Sequence, residues 1–278
     1  MNASQFERRF LLALFLLLIA ASAFPQAQQQ KDQFEPQVGQ RGKDVVWVPT
    51  PQALVEKMLD IAKVTPEDFV IDLGSGDGRT VITAVKRGAR ALGIEYNPDM
   101  VELSKRNASK EGVGDKAEFV KADLFESDFS QATVITMFLL PQINLKLRPK
   151  ILELRPGTRI VSNTFTMEDW SADETATVDD VDSPWNTALL WIVPAKVEGS
   201  WKLPQGDLIL TQEFQMISGT FKSGNNSTPI ANCRLRGDQI SFSAGDAQYT
   251  GRVNGSAIEG TVASGGSSSK FSGTRSEK

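Results

Sequence analysis

Phe69-Val70-Ile71-Asp72-Leu73-Gly74-Ser75-Gly76-Asp77-Gly78-Arg79 is the stretch from which the fold is read. Its first five residues form a short apolar run of the kind a buried strand carries. Three alternating glycines follow, suited to a backbone that needs positive φ or close approach. Beyond Arg79, the residues Val81, Ile82 and Val85 fall at helical spacing, and Gly88 stands where a helix should end. Strand, glycine loop and helix together open an α/β unit whose helix N-terminus presents free N–H groups.

The same alternation extends in both directions. Upstream, Thr50-Pro51 predicts a helix start with Thr as N-cap and Pro at the first position. Leu54, Val55, Met58, Leu59 and Ala62 then share a face. Downstream, strands are expected over Ala91–Glu95, Ala117–Val120, Thr133–Leu139 and Arg159–Ser162. Helices are expected from Asn97-Pro98 to near Gly112, and up to about Leu154. Leu189–Val193 and Val197–Trp201 read as a closing hairpin around Pro194-Ala195-Lys196. Parallel strands joined by helices require right-handed crossovers, so the module is α/β.

From Leu208 onward the text changes. Seven short alternating runs are split by Gly, Ser and Asn, and a Ser-Gly-Thr-like phrase recurs at Ser218, Tyr249, Glu259 and Ser272. That predicts a small C-terminal all-β module, a barrel or a sandwich. At the other end, Arg8 and Arg9 precede an uncharged, mostly apolar run from Phe10 to Phe24, with Ala21-Ser22-Ala23 as a small-x-small site. Residues 1–24 therefore read as a signal peptide or a membrane anchor, which places the rest in the periplasm or cell envelope. Residues 25–44 are rich in Gln, Pro and Gly and read as a disordered linker. The expected domains are then 45–204 and 205–278.

Composition removes several chemistries. The chain has no histidine and a single cysteine, Cys233. Histidine-dependent triads, histidine metal sites, disulfides within the chain and cysteine-held iron–sulfur clusters all fall away, and no metal is expected. The net charge of −4 is spread along the chain, so no nucleic-acid partner is expected.

The glycine loop departs from a dinucleotide fingerprint. Gly74-x-Gly76 is followed by Arg79 where a third glycine would stand. The flanking acids Asp72 and Asp77 repel a pyrophosphate but suit the ammonium and sulfonium of S-adenosylmethionine (SAM). Gly74, Ser75, Gly76 and Gly78 would supply the close backbone approach. Glu95, 23 residues after Asp72, stands where an acid accepts from ribose hydroxyls. Asp123 can accept from the adenine amino group, with Leu124 or Phe125 against the ring. Five βα units with a closing hairpin complete a Rossmann-like class I methyltransferase sheet.

The stretches Val48-Pro49-Thr50-Pro51, Val70 to Arg79, Gly93-Ile94-Glu95-Tyr96-Asn97-Pro98, Phe138-Leu139-Leu140-Pro141-Gln142 and Arg155 to Phe165 carry a resemblance. They resemble a family of protein-lysine methyltransferases whose eukaryotic members act on the mitochondrial ATP synthase c-subunit and the adenine nucleotide translocase. More distantly they resemble the telomeric-silencing-type histone lysine methyltransferases. The resemblance covers about Val45 to Trp170 and implies methyl transfer from SAM to a lysine amine of a protein substrate. It implies catalytic positions at Phe138, Pro141 and Asn163, with Trp47, Phe138, Pro141 and Phe165 as walls of the acceptor side and Asn163 and Thr164 as polar contacts. A lipid or other small-molecule acceptor is the alternative, as is a non-catalytic binding protein of the cell envelope. Export stands against the cofactor, which is made in the cytoplasm. Membrane association, if present, would run through the N-terminus, and oligomeric state is left open.

Overall fold

The computed structural model describes residues 34–179 and 182–276. The signal-segment reading and the linker before residue 34 lie outside the described residues. The first sheet alternates with helices: α1 (Gln52–Ile61), β1 (Phe69–Leu73), α2 (Arg79–Lys86), β2 (Arg90–Glu95), α3 (Pro98–Lys110), β3 (Ala117–Lys121), β4 (Val134–Met137), α4 (Pro141–Ile151), β5 (Arg159–Asn163), β6 (Glu174–Thr177) and β7 (Thr187–Ile192). Its strand order is β3-β2-β1-β4-β5-β7-β6, and β7 runs antiparallel to β5. Both faces of the sheet are covered. Leu54, Leu59, Val81 and Val85 pack on one, and Ile71, Ile135, Leu147 and Trp191 on the other. Sequential parallel strands on either side of β1 put a topological switch point between β1 and β4, the place where such sheets hold ligands.

Three local expectations need correction. Pro51, not Thr50, occupies the N-cap of α1, and the Thr50 hydroxyl accepts from Asn163 Nδ2 at 3.3 Å. The closing hairpin is β6–β7 rather than residues 189–201. β6 is Glu-Thr-Ala-Thr at the sheet edge, largely exposed, and so lacks the apolar alternation that marks a strand in sequence. Val197–Trp201 instead leads into the second module, because Gly199–Leu203 (β8) pairs there.

That module is a closed antiparallel barrel. β8 is followed by β9 (Gly206–Glu213), β10 (Met216–Ser223), β11 (Asn226–Arg236), β12 (Gln239–Ala244), β13 (Ala247–Asn254), β14 (Ala257–Ser264) and β15 (Ser267–Arg275). Pairing of β15 with β8 closes the ring, which leaves no open edge. Inward side chains fill the interior: Trp201, Phe221, Phe242, Tyr249, Ile258 and Phe271 are all buried. Tyr249 stacks on Phe242 at 4.8 Å and meets Phe271 edge-on at 5.4 Å. The recurring glycines sit where strands press together. A Cβ on Gly260 would lie 2.1 Å from the Thr250 carbonyl oxygen. β8, which ends before residue 205, is thus a strand of the barrel.

The barrel is seated on the sheet module through its β9–β10 turn. Phe214 stacks on Trp170, with ring centroids 5.6 Å apart. The Trp170 indole N–H donates to Gln215 Oε1 at 2.8 Å, and Gln215 Nε2 donates to the Ser171 carbonyl at 2.8 Å.

Candidate active site

The glycine loop leaves β1 and turns over the end of β2. Gly74 and Ser75 donate backbone N–H bonds to the Ile94 carbonyl at 2.9 and 3.1 Å. Gly76 has φ +55, and a Cβ there would lie 2.9 Å from the Trp47 indole nitrogen. Only glycine lets the loop pass beneath that indole. Gly78 takes a left-handed conformation as the N-cap of α2, and a Cβ there would strike Phe119 and Ser104 at under 3 Å. Its role is packing, and it does not line the cavity above the loop.

Five carboxylates line that cavity, Asp44 on the strap ahead of α1 and four on the sheet module. Glu95 ends β2 and accepts from the Gly76 N–H at 3.0 Å with one oxygen and from the Asn97 N–H at 2.9 Å with the other. It thus ties the glycine loop to the start of α3, and each oxygen keeps a further lone pair for a ligand. Asp77 is gripped by Arg79, whose Nε and Nη2 donate at 3.0 and 2.6 Å, while Arg79 Nη1 donates to the Thr50 carbonyl at 2.7 Å. Asp72 is buried and accepts from Thr136 Oγ1 at 2.6 Å. Burial, opposed in part by the Thr136 bond and reinforced by Asp77 and Glu95, pushes its carboxyl up to about 7. Asp123 follows β3 and accepts from Lys43 and from the Phe125 N–H, the latter at 2.9 Å. The Lys43 bond, then the Phe125 bond, holds it below the usual carboxylate range.

The roof of the cavity is a strap whose first part, up to residue 44, the sequence reading places in a disordered linker. Residues 39–47 double back on themselves: Gly39 N–H donates to the Trp47 carbonyl at 2.9 Å, Trp47 N–H to Gln40 at 2.8 Å, and Arg41 bridges to Val46. The strap lacks an apolar period because its contacts lie far away in sequence. Lys43 reaches Asp123, 80 residues on, and stands 4.5 Å over the Tyr96 ring.

The opposite wall is aromatic. Phe138, after β4, stacks on Phe165, after β5, with centroids 5.7 Å apart. Trp185, just before β7, meets Phe138 edge-on at 5.8 Å. The structure brings Asp72, Gly74, Ser75, Gly76, Asp77, Glu95, Asp123, Leu124, Phe138, Phe165 and Trp47 to one cavity. It sets apart Pro141, which opens α4, and Asn163, which is wholly buried behind Thr50. Neither lines the cavity. Trp185 and Tyr96 line it and were missed. Tyr96 at least adjoins Glu95 in sequence, whereas nothing in the sequence around Trp185 marks it.

The cavity opens at the carboxyl ends of β1, β2 and β4, under an acidic rim, on a sheet with an antiparallel seventh-strand hairpin. This fold and site define a SAM-dependent methyltransferase. Residues 72–174 match the ANTKMT methyltransferase domain family. The chain is 47% identical over 139 residues to a protein-lysine N-methyltransferase of Saccharolobus islandicus, covering 49% of this chain and 86% of that one. It therefore belongs to this methyltransferase family. It is 38% identical over 117 residues to the human lysine N-methyltransferase of the ATP synthase c-subunit, covering 42% of this chain and 50% of that one. A solved structure described as an RNA methyltransferase from Salinibacter ruber, in complex with S-adenosyl-L-homocysteine, shares 47% identity at a TM-score of 0.50. That likeness covers 54% of this chain and 96% of the Salinibacter chain. The chain thus spans nearly all of two relatives but only about half of the human enzyme.

Proposed function

We propose that this protein methylates lysine side chains of a protein substrate. The observation that carries the proposal is the division of one cavity into two halves. Acids and backbone line the end over β1, β2 and β3, while stacked rings line the end over β4 and β5. The acidic half suits SAM. Glu95 faces the ribose position, Asp123 and Leu124 the adenine position, and Asp72 and the Gly74–Gly76 loop the amino-acid end. Ser75 Oγ is buried without a hydrogen-bond partner and is a spare donor at that end.

Bound there, SAM supplies a methyl group activated on a sulfonium. The chain's own contribution is placement and exclusion of water. A lysine ammonium titrates near ~10.4 in water and must lose its proton before it can attack. Phe138, Phe165 and Trp185 offer apolar faces that sheathe the aliphatic stem and desolvate the ammonium, which lowers its pKa and releases the proton to solvent. The ring faces still attract the cation enough to hold it in place.

The Salinibacter protein's description favours RNA as a second reading. The acidic rim and the net charge of −4 weigh against a phosphate backbone as the partner. Incubating the protein with methyl-labelled SAM and a cell extract, then separating protein, RNA and organic-soluble fractions, tests the proposal. Label in the protein fraction supports it, and label confined to RNA or to the organic phase overturns it.

Residues 1–24 support a further reading, in which the segment exports the catalytic part or anchors it in the membrane. A fusion of residues 1–44 to a reporter that is active only outside the cytoplasm tests this. An inactive reporter would contradict it.

A further inference from the structure

We infer that Trp185 is the specificity-determining wall of the acceptor half of the cavity, closing it around an alkylammonium group. The inference rests on the lysine reading and deepens it. Trp185 stands beyond the 72–174 stretch that matches the family, in the connection from β6 to β7. It is held there by a local turn in which its N–H donates to Ser183 Oγ at 3.2 Å.

Three observations place it on the acceptor side. First, it lines the same cavity as Glu95 and Asp123 but packs against neither. Its ring contact is Phe138, at the carboxyl end of β4, and through Phe138 it joins Phe165 at the end of β5. The adenosine-side acids leave β2 and β3, two and three strands from β4 across β1. Second, the three rings do not lie parallel. Phe138 and Phe165 are 18° apart, while Trp185 stands at 62° to Phe138. A flat stack presents one face, whereas a ring set at an angle to the stack makes a corner. A corner of π-faces is the arrangement that surrounds a cation on a hydrocarbon stem. Third, Trp185 is only partly buried where it stands, and its two hydrogen bonds with Ser183 are made by its backbone. A tryptophan used for core packing alone is expected to be covered, as Trp170, Trp191 and Trp201 are in this same chain.

The mechanism is binding rather than chemistry. Trp185 touches the acceptor side chain, raises its occupancy and narrows the entrance to slender groups. Removing the ring should weaken acceptor binding and leave the cofactor untouched.

The test compares wild type with Trp185→Ala, Trp185→Leu and Trp185→Phe. The full-length protein is used, with methyl-labelled SAM and a dilution series of the protein fraction of a cell extract. Calorimetric titration with S-adenosylhomocysteine and a thermal melt accompany each variant. The Ala and Leu variants should raise the apparent KM for the extract by about fivefold or more. The Phe variant should restore it to within about twofold, because a π-face is regained. Affinity for S-adenosylhomocysteine should not move. An unchanged KM in the Ala and Leu variants overturns the inference, and so does a matching loss of S-adenosylhomocysteine affinity. Should the Ala variant fail to fold, the Leu-against-Phe contrast decides, since both keep apolar bulk and only one keeps a ring. If the wild type labels RNA or the organic phase instead, the lysine reading falls. The same KM comparison on the labelled fraction then still reads whether Trp185 forms the acceptor wall.

Discussion

The Lys43 ammonium rests on the Asp123 carboxylate and stands 4.5 Å above the Tyr96 ring, so one lysine pins the strap across the adenosine end of the cavity. Both Asp123 oxygens are already engaged, one by Lys43 and the other by the Phe125 N–H. Each still has a lone pair for an adenine amino group. On the proposed placement of SAM, Lys43 would latch the strap over the adenosine rather than compete with it. Lys43→Ala should speed the release of S-adenosylhomocysteine by roughly threefold to tenfold in stopped-flow fluorescence, with high salt weakening the wild type toward the variant. Tighter binding by the variant would show that Lys43 competes with the ligand.

Asp72 sets a pH dependence. An ordinary carboxyl loses its proton near 3.8, whereas burial and the neighbouring acids hold this one up to about 7 in the fold. Between those values the folded state binds a proton that the unfolded chain has released. Stability contributed by Asp72 is thus full at low pH, declines as pH rises through this window, and is lost above about 7. Asp72→Asn keeps the Thr136 bond and removes the buried charge. Its Tm should exceed that of the wild type at pH near ~8 and lose that advantage at pH near ~5. A Tm gap independent of pH would contradict the assignment.

The sheet's opposite end depends on a buried ion pair. Asp68 accepts from Arg159, from Thr133 Oγ1 at 2.7 Å and from the Thr65 N–H at 2.9 Å. Burial alone would raise its pKa, but these partners outweigh burial and hold it low. The stability it gives is present at neutral pH and is lost as pH falls through the depressed value. Asp68→Ala leaves Arg159 uncompensated and should cost about 3 kcal/mol in urea unfolding at pH near ~7. A cost under about 1 kcal/mol would mean solvent already screens the pair.

Much of this architecture is legible in the sequence, and the gaps have physical causes. Asp72 lies near the end of β1, the glycine loop follows it, Glu95 ends β2 and Asp123 follows β3, so the order of strands in the sequence brings them to one end of the sheet. All seven strands from β9 onward are legible as well, since their inward residues alternate with polar ones. Lys43, Trp47 and Trp185 obey no local period. Lys43 is placed by a carboxylate 80 positions on and Trp185 packs on Phe138, while the backbones of Trp47 and Trp185 are held by short turns to Gln40 and Ser183. The inward turn of the Asn163 side chain to Thr50 is likewise not legible, because that partner lies 113 residues away.

The barrel boundary gives its own prediction. A fragment of residues 205–278 lacks β8, and with it Trp201 and the pairing that closes β9 to β15. That fragment should show no cooperative melt, whereas residues 195–278 should melt cooperatively with a strand-type circular dichroism spectrum. Cooperative folding of the shorter fragment would show that the ring closes without β8.

The most direct measurement follows the methyl group itself. Wild-type protein is incubated with SAM carrying a heavy methyl group and with cell-extract proteins, and the digested proteins are read by tandem mass spectrometry. The account predicts heavy methyl on the ε-nitrogen of lysine, abolished when Glu95 is changed to Ala and the loop loses its tie to Asn97. Heavy methyl found only on RNA bases, or on protein side chains other than lysine, would contradict it.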